Sequence, residues 1–181
     1  SKSTDLAPAK ILRRNDLICP PKETHAMNIS ARLQLHDDPT NKMQVGKMTF
    51  LFKVRSSETE GAYTMMEAIV PPESGSGLHR HWSYDEAAQI LEGTFECYVD
   101  GAQRLLTAGQ SVYWPRGALH KFRSVGPQTG RILFICSPGR GFEEFAHRIS
   151  QPELETGTAS SGPAMPFRSI AADYGIEFVD A

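Results

Sequence analysis

The stretch that decides the fold runs from Gly77 to Gly93 and reads GLHRHWSYDEAAQILEG. It places His79 and His81 one residue apart and puts Glu86 five positions after the second histidine. Because side chains at positions i and i+2 of a strand point to the same face, the two imidazoles can offer nitrogens to one point in space. By itself the stretch leaves two interpretations open, a metal site or a polar turn that leads into an ordinary strand.

A second stretch, GQSVYWPRGALHKF, spans residues 109–122 and supplies a fourth candidate ligand at His120. Turns that contain glycine and proline bracket a strand in this stretch, and His120 opens the next strand. Three neutral imidazoles and one carboxylate would form a mixed nitrogen and oxygen site that suits one divalent transition metal ion, namely iron, nickel, manganese, cobalt, copper or zinc. Calcium and magnesium prefer sites with more oxygen atoms.

Around these two stretches, the sequence predicts a series of short strands separated by turns. Segments rich in β-branched, aromatic and long apolar residues begin at Lys47 and continue to Cys136. Glycine-rich and proline-rich turn signals separate them, and no helical crossover long enough for a parallel sheet lies between them. The sequence therefore predicts an all-β fold, an antiparallel sandwich or barrel.

The segments on either side of this region predict an arm and two short helices. Residues 1–46 contain four prolines and little periodicity, which is typical of an irregular N-terminal arm. Residues 47–150 form the predicted barrel and end in a stretch with the spacing of an amphipathic helix. For residues 151–181 we predict a linker and a second short helix capped by Gly175. We expect this helix to pack on the outside of a sheet rather than to close the barrel mouth.

Composition argues against several classes of partner. The chain has 181 residues, a formal net charge of −2 and no run of Lys or Arg longer than a pair, so it lacks the basic surface that nucleic-acid binding needs. No apolar run approaches the roughly 20 residues that cross a bilayer. The first ten residues lack the apolar core of a signal peptide. We therefore expect one cytoplasmic domain without nucleic-acid or membrane partners.

The two stretches together resemble the two motifs of the cupin superfamily. The His-x-His pair, the four-residue gap to Glu86 and the six-residue gap to Gly93 match the first motif. The glycine, proline, glycine and histidine of residues 109–120 match the second. Two positions depart from the pattern, because Glu73 stands where the first motif has glycine and Ser124 stands where the second usually ends in asparagine.

The resemblance, which spans residues 47–149, implies the cupin jelly roll, a double-stranded β-helix. It also implies that four side chains converge on one metal ion inside the barrel: His79, His81, Glu86 and His120. Asp85 is a rival ligand, but Glu86 is preferred because it keeps the six-residue spacing to Gly93. The alternative is a metal-free barrel in which the imidazoles are satisfied polar residues.

Within the superfamily the chain looks similar to single-domain proteins of the quercetin 2,3-dioxygenase type. This similarity implies a metal-dependent oxidoreductase, a dioxygenase for a small enolic or aromatic substrate, with Glu86 as the candidate catalytic proton acceptor. The same site would suit a metal-dependent isomerase, lyase or decarboxylase, or a non-catalytic small-molecule-binding cupin. An enzyme is favoured over a sensor because residues 1–45 contain no convincing pair of helices for DNA binding. The resemblance also implies a homodimer.

Five side chains are predicted to line the substrate pocket: Trp82, Tyr84, Ala88, Ile90 and Phe122. The two aromatic residues between the ligands would lie at the cavity mouth, but packing on the outer face of the sheet is an equally good interpretation. The other three follow from counting in twos along the strands from the ligands. Such an apolar lining suits a small, largely hydrophobic substrate.

Overall fold

The computed structural model describes residues 41–150 and 165–180, which belong to one compact unit of residues 33–181. Of the predicted N-terminal arm, residues 1–46, the part before residue 41 lies outside the described residues. Most of the predicted linker, residues 151–164, also lies outside them. No helix in the described part is long and apolar enough to cross a membrane.

The larger of two sheets contains six antiparallel strands. In spatial order they are β1 (Lys42–Val45), β2 (Met48–Val54), β3 (Thr64–Val70), β10 (Gly130–Ser137), β5 (Asp85–Glu92) and β8 (Ser111–Trp114). The sheet therefore begins at Lys42, inside the segment predicted to be the arm. A short 3₁₀ helix, Ser56–Thr59, precedes β3.

The smaller sheet contains five antiparallel strands. In spatial order they are β11 (Ile176–Phe178), β4 (His79–His81), β9 (His120–Ser124), β6 (Thr94–Val99) and β7 (Ala102–Thr107). The two sheets share one core, as the ring contact between Phe122 of β9 and Phe134 of β10 illustrates, with centroids 5.3 Å apart. The prediction of an all-β jelly roll is confirmed.

Alternating burial explains how the strands reach this arrangement. Along β10, Ile132, Phe134 and Cys136 are buried, whereas the residues between them are partly or largely exposed. The period of two directs one face of the strand to the core and the other to solvent. At the turn from β5 to β6, Gly93 has φ +88°, and an added Cβ would lie 3.0 Å from the backbone of Gly130. This close approach in a left-handed conformation favours glycine.

Both predicted helices are present. Helix α1 (Arg140–Ile149) buries Phe145, Ala146 and Ile149, which lie on one helical face. Helix α2 (Met165–Asp173) buries Ala171 and is followed by Gly175 at φ +72°. After this glycine the chain enters β11, a strand that sequence analysis did not predict, and pairs with β4. The C-terminal segment therefore reaches the strand that carries two of the candidate ligands.

Candidate metal centre

Three histidines converge where β4 and β9 meet. His79 of β4 is the Cα partner of His120 in β9, and His81 lies two residues further along β4 on the same face. All three are buried, and their candidate ligand atoms lie within 4.8 Å of one another. The ring centroids are separated by 4.3 to 4.8 Å. The pairing of two short strands thus assembles the cluster.

Backbone carbonyls hold two of the rings in place. Nδ1 of His79 lies 2.9 Å from the carbonyl oxygen of Gly77, and Nδ1 of His120 lies 2.9 Å from that of Ala118. An imidazole that donates its Nδ1 proton to such a carbonyl keeps a lone pair on Nε2 for a metal ion. Nε2 of His120 is buried and has no hydrogen-bond partner among the described residues. A buried polar atom without a partner is costly, and a bound metal ion would satisfy it.

Burial also keeps the imidazoles in the protonation state that metal ions require. Loss of solvation, followed by the neighbouring His120, lowers the pKa of His79 to about 3. Loss of solvation lowers the pKa of His120 to about 4, and it lowers that of His81 well below its ordinary value. The three rings are therefore neutral at pH 7, as metal ligands must be. Their chemistry fits a first-row transition metal.

Glu86 lies beside this cluster. Its Oε2 is 3.6 Å from Nδ1 of His81, and the thiol of Cys136, 3.8 Å away, donates to the same oxygen. Burial raises the pKa of this carboxyl to about 8. The group of mutually close ligand atoms contains the three histidines and not Glu86, so its role as the fourth ligand stays a prediction.

The rival carboxylate, Asp85, is held by another partner. Its two carboxylate oxygens accept hydrogen bonds of 3.0 Å from the guanidinium of Arg116, and the backbone amide of Arg116 donates a further bond of 2.9 Å. These hydrogen bonds lower the pKa of Asp85 to about 2. Because strand neighbours point to opposite faces, Asp85 belongs to the outer side of β5 and Glu86 to the inner side.

A cavity of about 370 Å³ adjoins the cluster. His79, His81 and Glu86 lie on its wall, whereas the ring of His120 stacks on Trp114, with centroids 4.9 Å apart. Apolar and aromatic side chains form most of the wall: Val45, Met48, Phe50, Met66, Tyr84, Phe122, Phe134, Phe142, Phe145, Ile149, Phe167, Ile176 and Phe178. The exposed side chains of Lys47 and Glu73 also border the cavity.

The five predicted lining residues occupy three kinds of position. Tyr84 and Phe122 lie on the cavity wall. Ala88 and Ile90 are buried in the core, and neither belongs to the wall formed by the described residues. Trp82 is 55% exposed and lies outside this wall, with its indole N–H donating to Glu177 over 2.9 Å.

Sequence analysis missed the contribution of the C-terminal segment to the wall. Phe178 of β11 stacks on His79, with ring centroids 5.2 Å apart and an interplanar angle of 21°. Phe167 of α2 packs against Phe178 and against Phe145 of α1. The signal that could have found β11 is weak: two apolar residues, Ile176 and Phe178, in alternation after Gly175.

Tyr84 is a wall residue that contacts a candidate ligand with its ring and has an unpaired hydroxyl group. Its ring stacks on His81, with centroids 4.2 Å apart and an interplanar angle of 24°. The residue is 1% exposed, and its hydroxyl has no hydrogen-bond partner in the described part of the chain. Burial, followed by the proximity of Cys136 and Glu86, raises the pKa of this phenol well above its ordinary value. The hydroxyl is therefore a neutral group that can donate a hydrogen bond.

Comparison with curated proteins found a relative of similar sequence. A polyketide synthase protein, CurC of Streptomyces cyaneus, is 31% identical over 101 residues, which cover 56% of this chain and 64% of that relative. The chain thus matches slightly less than two thirds of the length of this relative.

Solved structures share the fold at low sequence identity. KdgF from Halomonas sp. superposes with a TM-score of 0.51 and 16% identity, over 56% of this chain and 91% of its own. The polyketide cyclase RemF from Streptomyces resistomycificus gives a TM-score of 0.50 and 19% identity, over 60% of this chain and 80% of its own. The family model of the cupin domain matches residues 66–136, which contain all three histidines and Glu86. Residues 66–136 therefore form a cupin domain.

Proposed function

We propose that the protein is a metal-dependent cupin dioxygenase for a small aromatic or enolic substrate. One observation carries this proposal: a cluster of three neutral, buried histidines lies with a buried carboxyl group beside a cavity whose wall is mostly apolar and aromatic. The ligand set supports a first-row transition metal, and the wall supports an apolar substrate.

The cavity supports the substrate class by its size and by its charge. A volume of about 370 Å³ is in the range of small-molecule sites. The side chains that surround it include eight aromatic rings besides the histidines. A sugar phosphate or nucleotide would need several converging cations, and Lys47 is the one cationic side chain on the wall among the described residues. An aromatic ring system with an enol or phenol oxygen fits this environment better.

The histidine cluster, Glu86 and the aromatic side chains of the wall each have a chemical part in this proposal. A metal ion held by His79, His81 and His120, with Glu86 as the candidate fourth ligand, would supply a Lewis acid that polarises a substrate hydroxyl. The positive charge of such a metal ion would favour the ionised form of Glu86, whose pKa burial alone raises to about 8, and this carboxylate on the cavity wall could then accept the proton of that hydroxyl. The aromatic wall orients the ring system and excludes bulk water, which strengthens the polar contacts inside. Dioxygen is the second substrate of the proposed reaction.

A second candidate is a non-oxidative reaction of an enolisable substrate, such as ring closure of a polyketide. The 31% identity to CurC, a polyketide synthase protein, favours this candidate. Removal of a proton next to a carbonyl group by Glu86 would start such a reaction without dioxygen. An isomerase, lyase or decarboxylase would use the same two elements, a polarised oxygen and one carboxylate.

Oxygen consumption distinguishes the two candidates. Metal-loaded protein is mixed with a flavonol or an aromatic β-diketone, and substrate loss and dioxygen uptake are recorded together, with and without air. A dioxygenase consumes one dioxygen per substrate and stops without air, and a His79→Ala/His120→Ala variant is inactive. Turnover that continues without air would establish the second candidate instead. Binding without turnover under both conditions would overturn both enzymatic proposals and indicate a binding protein.

A further inference from the structure

The hydroxyl group of Tyr84 is the feature that the proposed mechanism has not used. Four buried side-chain polar atoms have no hydrogen-bond partner within the described residues, and they belong to Arg80, Tyr84, His120 and Ser124. Of these four residues, Tyr84 is the one on the cavity wall. Buried polar groups in native proteins are nearly always paired, so the unpaired hydroxyl of a residue on the cavity wall points to a ligand as its partner.

The packing around Tyr84 gives its ring a defined place. One face of the ring stacks on His81, and Phe142 makes an edge contact with it at a centroid distance of 6.5 Å. Gly141 leaves room for the ring, because an added Cβ at this glycine would lie 3.3 Å from Cδ1 of Tyr84. A ring enclosed in this way loses little further freedom when its hydroxyl binds a ligand, which favours recognition.

The neighbourhood of the hydroxyl indicates what it would bind. Tyr84 and Glu86 lie two residues apart on the same wall of the cavity, and His81 lies directly against the Tyr84 ring. A ligand oxygen held at the histidine cluster would therefore place the adjacent part of the ligand near Tyr84. The remaining wall is mostly apolar, so a second polar atom of the ligand would find few other partners there.

We propose that Tyr84 is a substrate-positioning residue that hydrogen-bonds a second oxygen of the substrate, next to the oxygen bound at the metal centre. This proposal rests on the proposed function and narrows its substrate class to aromatic compounds with two vicinal oxygens, such as a catechol or an α-hydroxy ketone. In this proposal the hydroxyl of Tyr84 orients the substrate, and the ring of Tyr84 also packs against His81.

The test compares two probes that differ by one oxygen, 2,3-dihydroxynaphthalene and 2-naphthol. Their dissociation constants are measured by calorimetry with metal-loaded parent protein, with Tyr84→Phe and with Tyr113→Phe. Tyr84→Phe removes one oxygen atom and retains the ring that stacks on His81. Tyr113 is 58% exposed and does not belong to the cavity wall among the described residues, so Tyr113→Phe is the matched control. Metal content and melting temperature are measured for each protein.

We expect Tyr84→Phe to bind 2,3-dihydroxynaphthalene about three- to tenfold more weakly than the parent does, the usual effect of one lost hydrogen bond. Binding of 2-naphthol, metal content and melting temperature should stay at the parent values, and Tyr113→Phe should match the parent throughout. Equal affinity of Tyr84→Phe and parent for both probes would overturn the role of Tyr84 and leave the proposed function standing. Loss of metal from Tyr84→Phe would show a structural role instead. If the parent bound neither probe, the substrate class itself would fail, and the role of Tyr84 with it.

Discussion

At the scale of single residues, the same kind of local contact between an imidazole nitrogen and a backbone carbonyl orients two of the candidate ligands. In His79 and in His120, Nδ1 is directed to the carbonyl oxygen two positions earlier in the chain. This contact spans only three residues, so the segments leading into β4 and β9 each contain their own orienting group. Such contacts fix the tautomer and the ring direction before a metal ion binds.

Removal of any one histidine should therefore weaken metal retention. His79→Ala, His81→Ala and His120→Ala each delete one of three convergent nitrogens, and we expect each variant to lose most of its metal after gel filtration. His147→Ala is the matched control, because His147 is an exposed residue of α1 outside the cluster. Elemental mass spectrometry of untagged protein measures the outcome. Equal metal content in all four variants and the parent would contradict the site.

The departure from the cupin pattern at Glu73 has a visible conformational consequence. Glu73 has φ +60°, a left-handed conformation in which glycine is free of the steric cost that other residues have. Its amide donates to the carbonyl oxygen of Ser124, the other departing position, over 3.0 Å. Gly75 cannot be replaced in the same way, because an added Cβ would lie 2.0 Å from the carbonyl oxygen of Phe122.

We expect Glu73→Gly to be more stable than Glu73→Ala by about 1 kcal/mol. Both variants lose the ion pair between Glu73 and Arg123, so their difference isolates the backbone conformation. Chemical denaturation of the two variants measures the difference in the free energy of unfolding. Equal stability would mean that residue 73 does not hold the left-handed conformation in solution.

At the scale of elements, β11 explains how a strand of three residues can carry two ligands. β4 has one Cα pair with β9, His79 with His120, but β11 pairs with all three residues of β4. Backbone hydrogen bonds beyond both ends of this ladder, from the amide of Trp82 to the carbonyl of Gly175 and from the amide of Val179 to the carbonyl of Leu78, extend the pairing. The C-terminal strand therefore supports the histidine pair from the side opposite β9.

Removal of residues 165–181 should destabilise the protein and weaken metal retention. The truncation exposes the edge of β4 and removes Ile176, whose burial contributes about 2 kcal/mol at 2% exposure. It also removes Phe178 from His79. We expect a lower melting temperature, lower metal content and increased binding of a hydrophobic dye.

A shorter truncation provides the control for this experiment. A chain that ends at Val179 keeps the whole of β11 and loses Asp180, whose side chain is 86% exposed and pairs with Arg168. Exposed ion pairs contribute little to stability, so this chain should behave like the parent. If the longer truncation also retained metal at the parent level, β11 would not support the ligands.

At the scale of the whole molecule, the described sheets end in strands with one free edge. These strands are β1 and β8 in the larger sheet and β7 and β11 in the smaller. Free edges and the predicted N-terminal arm are features through which a second copy can associate. The homodimer implied by the cupin resemblance therefore remains our proposal, with residues 1–40 as the segment that reaches the neighbouring subunit.

This proposal predicts a change of mass when residues 1–40 are removed. The full chain should elute as a dimer in size exclusion with light scattering, and the shortened chain should elute as a monomer. The histidine cluster lies entirely within residues 79–120, so the shortened chain should retain metal as the parent does. A shortened chain that remained dimeric would reject arm exchange.

The sequence by itself determined the class of the fold and the identity of the three histidines. The fold class and the pairing of His79 with His81 follow from local information, whereas the convergence of His120 on this pair is what the resemblance to cupins implies. The period of two in the strands selects the inward face, and the His-x-His spacing places two rings together on that face. The choice of Glu86 over Asp85 as the inward carboxylate rests on the same alternation, and the ion pair of Asp85 with Arg116 agrees with it.

Only the tertiary structure decided which inward side chains meet the cavity and which fill the core. Ala88, Ile90 and Phe122 all point inward, but only Phe122 reaches the cavity wall, because depth within a barrel depends on the packing of both sheets. The pairing of β11 with β4 joins segments almost a hundred residues apart. Three residues carry too little periodicity to predict such a strand, and its partner is selected by contacts distant in the sequence. For this reason the aromatic rings of α2 and β11, which complete the wall beside His79, became apparent only in the folded chain.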